Sequence, residues 1–205
     1  MLRRLDIAAL RQDSATGRDE LCQVLTGLGF PALIRSGYRP GGVIARVVYG
    51  GSELNPVLEM LDREGAWPAT VTELVDDAVA VMVDGIGDGK RFVTVGIAEQ
   101  IESADIHPGD SAFSIPPYSL DEELLARVRE LSGKLFKTLA LKGVLSLRWA
   151  VKHDRLYLLE ARPWAGESLA VLAKTGDTDW VALAARAALG EALPDLPVGG
   201  DERRP

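Results

Sequence analysis

Hydrophobic positions in this chain switch between helical and strand spacing, and the switches predict the elements. Over residues 13–30, Leu21, Val24, Leu25 and Leu28 form one helical stripe, with Asp13 or Ser14 as the N-cap and Gly29 as the stop. Two strand-like runs follow, Ala32 to Arg35 and Val43 to Tyr49, joined by a glycine-rich hairpin that holds Gly37, Gly41 and Gly42. A second helix is expected near residues 52–63, closing a small α+β lobe over residues 1–68. Beyond it come strand patterns at Thr70 to Leu74, Ala78 to Val83 and Arg91 to Gln100, with Gly85, Gly87 and Gly89 read as a turn. A long helix is predicted from Leu120 to Leu139, opened by Ser119 and Glu122 at capping-box spacing. Two more strands, 145–151 and 156–163, and a helix from Asp179 to Leu189 complete a larger lobe over residues 69–191. The tail, residues 192–205, carries prolines, glycines and mixed charge and reads as disordered.

Composition narrows the class. At 205 residues and 47% hydrophobic the chain can bury a substantial core. A net charge of -7 excludes a general nucleic-acid binder, which needs a concentrated basic surface. No apolar run approaches a membrane span, so a soluble protein is expected. The lone Cys22 excludes an internal disulfide, fits a reducing, cytoplasmic setting, and reads as a buried structural thiol. Ser-His-Asp order, Cys/His metal spacing and a P-loop are all missing from the sequence.

The candidate chemistry sits on the hairpin Leu145-Ser146-Leu147-Arg148-Trp149-Ala150-Val151, a polar turn, then Leu156-Tyr157-Leu158-Leu159-Glu160-Ala161-Arg162-Pro163. Pairing register decides what this hairpin can do. A three-residue loop of His153, Asp154 and Arg155 sets Arg148 opposite Glu160 and Ser146 opposite Arg162, whereas a two-residue turn puts Arg148 and Glu160 on opposite faces.

The hairpin, together with Gly29-Phe30-Pro31-Ala32-Leu33-Ile34-Arg35, Gly41-Gly42 and Ile106-His107-Pro108-Gly109-Asp110-Ser111, resembles the large subunit of carbamoyl phosphate synthetases. The likeness runs from about Arg3 to Leu193 and corresponds to one ATP-grasp unit. Members of that family are far longer, so the chain reads as a piece of such a protein or a free-standing relative. The resemblance implies an α+β ATP-grasp fold of two lobes with a nucleotide cleft between them and the 36–42 hairpin as a phosphate-covering lid. It implies nucleotide-binding roles for Arg35, Gly41, Gly42, His107 and Glu160. The same comparison marks departures: Arg148 and Arg162 stand at two neutral metal-ligand positions, Trp164 and Glu167 at two arginines, and Ala80 at an acidic residue.

Magnesium takes a hard oxygen shell, and two guanidinium groups beside the single carboxylate of Glu160 argue against its usual binding. The arginines can instead close on Glu160 as an ion-pair cluster, or hold phosphate oxygens directly. The resulting expectation is a weak or inactive nucleotide-binding or regulatory protein, with ATP as its ligand and a protein partner or larger synthetase subunit beside it. The alternative is an active ATP-dependent ligase, phosphorylating a carboxylate or carbamate, completed by a partner. Plainer roles stay open: His107 as a loop histidine, His153 as a solvated turn residue, and Trp149 and Trp164 as packing residues.

Overall fold

The protein is described by a computed structural model covering residues 1–37, 44–101, 112–175 and 178–195. Gly41, Gly42 and His107 lie outside the described residues. The chain divides into two compact units, Leu10–Asp76 and the combination of Met1–Ala9 with the chain from Asp77 onward. The first strand, β1 (Ala8–Ala9), belongs to the larger unit.

The smaller unit contains β2 (Gln12–Ala15), α1 (Arg18–Leu28), β3 (Ala32–Ser36), β4 (Ala45–Val48), α2 (Leu54–Arg63) and β5 (Ala69–Glu73). Its antiparallel sheet has the order β2-β5-β3-β4. Leu21 and Leu25 from α1 and Leu58 and Leu61 from α2 pack on Ile34, Val48 and Val71 of the sheet. Burying such side chains contributes roughly 1.5–3 kcal/mol each.

Three expectations change here. Residues 12–15 form a strand rather than a helix start, because Asp13 and Ser14 pair with Val71 and Thr70, and the ladder outweighs their polar side chains. The helix opens only after Gly17, with the Glu20 carboxylate accepting from the Thr16 N–H and hydroxyl at 2.7 Å. Cys22 is exposed, not buried, since it lies about 100° around the helix from the inward-facing Leu21. The lobe boundary moves from 68 to 76 because β5 pairs with β2 and β3.

In the larger unit β6 (Val79–Asp88), β7 (Phe92–Gln100), β8 (Phe113–Ser114), β9 (Lys142–Lys152) and β10 (Arg155–Arg162) join β1 in a sheet of order β1-β10-β9-β6-β7-β8. All pairs are antiparallel except β1 with β10, where Ala8 opposes Tyr157. This parallel pairing, together with Leu2, Leu5 and the buried Ile7 packed into the core, ties the first nine residues to the larger unit. One face of the sheet packs Val81, Val83, Leu147 and Trp149 against α3 (Glu122–Leu139) through Val128, Leu135 and Phe136. Trp149 is wholly buried and donates its indole N–H to Ser132 Oγ at 3.2 Å. The opposite face packs Ile86 and Val95 against α4 (Glu167–Leu172) and α5 (Trp180–Ala188).

Gly85 and Gly87 lie inside β6, not in a turn. A Cβ on Gly85 would fall 2.0 Å from Phe92 Cε2, and one on Gly87 2.6 Å from the Leu141 carbonyl oxygen, so close packing requires glycine at both. The turn itself uses Gly89, at φ +87°. Asp121, rather than Ser119, caps α3 by accepting from the Leu124 N–H at 2.8 Å. Ser119 instead donates to the buried Glu99 carboxylate, which also accepts the Tyr118 N–H at 2.9 Å. Within the stretch expected to be disordered, Leu193 is buried and donates its N–H to Asp88 at 2.9 Å. N–H groups of Arg91, Leu193 and Lys90 together hold the Asp88 carboxyl far below the usual carboxylate range. Residues 196–205 lie outside the described residues.

Helix α3 ends on Ala140 in the left-handed conformation, φ 45° and ψ 39°, with its N–H on the Phe136 carbonyl. A Cβ is penalised there and glycine is not. Replacing Ala140 by Gly is expected to raise unfolding stability by about 0.5–1 kcal/mol in urea denaturation, the reverse of the usual cost of glycine in a helix.

Candidate functional site

The β9–β10 hairpin turns on two residues, His153 and Asp154, both at positive φ (48° and 57°), so that Lys152 opposes Arg155. The two-residue turn corrects the expected three-residue loop; adjacent left-handed residues are the geometry that matches strand twist. Regular pairing holds as far as Leu158 opposite Trp149. The register then shifts: Leu159 is an extra residue, and beyond it Glu160 opposes Arg148, Ala161 opposes Leu147 and Arg162 opposes Ser146. A β-bulge thus supplies the odd residue assigned above to the loop. It keeps Glu160 and Arg162 on the face of Ser146 and Arg148, away from Leu147 and Trp149 in the α3 core.

On that face a shallow indentation is lined by Met82, Ser146, Arg148, Glu160, Arg162, Glu167 and Ser168, with Leu147 and Gly166. The Arg162 guanidinium sits between two carboxylates. Its Nη2 donates to Glu160 Oε2 at 2.7 Å, and its Nη1 reaches Glu167 Oε2 at 3.2 Å and Oε1 at 3.5 Å. The Glu160 hydrogen bond and both negative charges raise the Arg162 pKa against the opposing effect of its partial burial. Arg148 Nη2 lies 3.5 Å from Gln100 Oε1. The sequence reading centres this cluster on Glu160; the structure adds Glu167 from α4 and places Arg162 between two glutamates.

Beneath the indentation is a buried polar network. Asp84 Oδ1 accepts from Ser146 Oγ and Oδ2 from Ser168 Oγ, while Ser146 Oγ accepts the Gly166 N–H at 2.8 Å. Burial pushes the Asp84 carboxyl up, against the opposing pull of the two serine hydroxyls. The network pins the start of α4 and therefore the backbone that carries Glu167. Asp84 was missed in the sequence although the signal was there: a carboxylate ends the apolar run Val81-Met82-Val83 in a central strand.

Arg148, Glu160 and Arg162 are brought together. Arg35 belongs to the other unit, exposed on β3 beside the inward-facing Ile34. Trp164, expected to pack, is 60% exposed in the segment between β10 and α4. Among the described residues no helix is long and apolar enough to cross a membrane.

The paired units define an ATP-grasp fold, shared with an N5-carboxyaminoimidazole ribonucleotide synthetase solved with ADP and a biotin carboxylase from Campylobacter jejuni. The first superposes at TM-score 0.74 and 17% identity over 91% of this chain and 48% of its own. The second does so at 0.75 and 18%, over 95% and 45%. Residues 3–196 match the family described as carbamoyl-phosphate synthase L chain, ATP binding domain, and the chain belongs to that family. It is 33% identical to the C-terminal section of the carbamoyl phosphate synthase large chain of Aquifex aeolicus, over 89% of this chain and 34% of the relative. Against the large chain of Halobacterium salinarum the identity is 34%, over 96% and 19%. The chain thus spans about a third or a fifth of the length of these relatives.

Asp84 gives a pH test. Its raised value means the folded protein holds this proton more tightly than the unfolded chain, whose aspartates titrate near about 3.9. The resulting stabilisation is full below that value and is lost as pH rises through the raised one. Urea denaturation of wild type and Asp84→Asn from acid to neutral pH should show wild type losing stability relative to the variant as pH rises.

Proposed function

We propose that this chain is a nucleotide-binding domain of the carbamoyl-phosphate-synthase type in which Arg162 takes the place of the metal, so that ATP binds weakly, without magnesium, and is not turned over. The observation that carries this reading is the guanidinium held between Glu160 and Glu167. Glu160 is the carboxylate the resemblance assigns to the metal, and its Oε2 is committed to Arg162 at 2.7 Å. A dication 4 Å from a guanidinium meets a repulsion of roughly 8 kcal/mol at an effective dielectric of 20. Among the described residues no three His, Cys, Asp or Glu side chains converge to offset it. The residues present do not fit magnesium, and phosphoryl transfer depends on positioning and charge neutralisation that the metal ordinarily supplies. A role in binding or regulation follows, beside a protein partner or the remaining parts of a larger synthetase, since the relatives are three to five times longer.

A second reading is an active ATP-dependent ligase acting on a carboxylate or carbamate and completed by a partner. The presence of Glu160 and Arg35 at the positions the resemblance requires favours it.

Calorimetric titration with ATP separates the two. The first reading expects the same weak affinity in excess chelator and in excess magnesium, and no magnesium-stimulated hydrolysis; the ligase reading expects tight, magnesium-dependent binding. Arg148→Gln combined with Arg162→Asn should create a magnesium dependence that wild type lacks.

A further inference from the structure

The two arms of Arg162 are held unequally. Nη2 makes a 2.7 Å bond to Glu160, two residues away on the same strand, whose side chain is 34% exposed. Nη1 reaches Glu167 only at 3.2 and 3.5 Å, and that side chain is 51% exposed. The first contact is a short charge-assisted bond; the second is a loose, solvent-screened pair.

The backbone under Glu167 is fixed independently of this ion pair. Gly166 donates its N–H to Ser146 Oγ, and Ser168 donates its hydroxyl to the buried Asp84. Glu167 can therefore leave Arg162 by rotating its own side chain, with the start of α4 held in place. What it leaves behind is an arginine edge facing the indentation, still anchored by Glu160 on its other arm. The freed Nη1 then offers charge-assisted N–H donors to a phosphate oxygen.

We propose that Glu167 is an internal competitor for this edge, and that the indentation is a metal-free site for phosphate oxygens, opened when the phosphate displaces the carboxylate from Nη1 of Arg162. The proposal rests on the nucleotide reading above and names the contact that reading leaves open. Arg162 already stands between two carboxylates, so an anion gains little at Nη1 until Glu167 swings away. No bond is made or broken covalently, and the exchange is one anionic partner for another.

The sign of the mutational effect is diagnostic. In a metal site, deleting a nearby carboxylate weakens binding of the metal-nucleotide complex; here, deleting Glu167 strengthens phosphate binding. ATP and inorganic triphosphate, each in excess chelator, are titrated calorimetrically into wild type, Glu167→Gln, Arg162→Gln and the double variant, with thermal melts confirming that each is folded. Glu167→Gln should tighten both ligands by about two- to five-fold, the scale set by loss of an exposed ion pair, and the gain should vanish in the Arg162→Gln background. ATP binding to wild type with no tightening in Glu167→Gln overturns the competitor and leaves the nucleotide reading standing. Tightening for ATP but not for triphosphate overturns it too, because the gain then lies at the base or sugar. Binding to Glu167→Gln alone supports the competitor while removing nucleotide binding from the wild-type protein. Silence from both proteins with both ligands overturns the inference and the reading together.

Discussion

Side chains on a β-strand alternate faces, and in the β9–β10 hairpin a single extra residue decides which face carries the charges. Carried at constant register from the two-residue turn at His153 and Asp154, the pairing would set Glu160 opposite Leu147, on the face packed against α3. There a carboxylate would be buried among Leu145, Trp149 and Val128 without a partner, at a cost of several kcal/mol. Leu159 absorbs the mismatch as a bulge, and the strand continues with Leu147 inward and Glu160 and Arg162 outward. The core and the site therefore depend on the same residue.

Once outward, the charges meet a surface already shaped from below. Asp84, Ser146 and Ser168 form a buried hydrogen-bonded cluster between β6, β9 and α4, and the Gly166 N–H ties the β10–α4 connection to it. Leu169 and Leu172 on the same short helix pack with Trp180 and Ala187 of α5. A six-residue helix has little stability of its own, so these contacts hold it in place. Glu167 reaches Arg162 because that cluster fixes where α4 begins. The outcome is a site in which the Arg162 guanidinium stands between the carboxylates of Glu160 and Glu167.

Legibility from the sequence followed the strength of the local period. Helices α3 and α5 and strand β9 are readable because each shows its stripe or alternation without interruption, and β10 because it alternates as far as Leu158. The strand β2 was not, since Gln12, Asp13 and Ser14 are polar and exposed and only the pairing with β5 makes them a strand. Gly85 and Gly87 read as turn residues although their lack of a side chain serves packing against Phe92 and Leu141. The residue pairs across the hairpin were found through the wrong device, a longer loop in place of a bulge, because the faces were constrained by hydrophobicity and the turn was not. Glu167 as a partner of Arg162 was invisible: α4 is too short to show a period, and the contact is tertiary.

The register after Leu158 is the claim on which both the core and the site stand, and nuclear Overhauser contacts across β9 and β10 measure it directly. Cross-strand backbone contacts pairing Arg148 with Glu160 and Ser146 with Arg162, with Leu159 lacking a partner of its own, are the predicted result. Contacts pairing Arg148 with Leu159 and Leu147 with Glu160 would contradict the account, because Glu160 would then lie on the α3 face and could not hold Arg162 in the site.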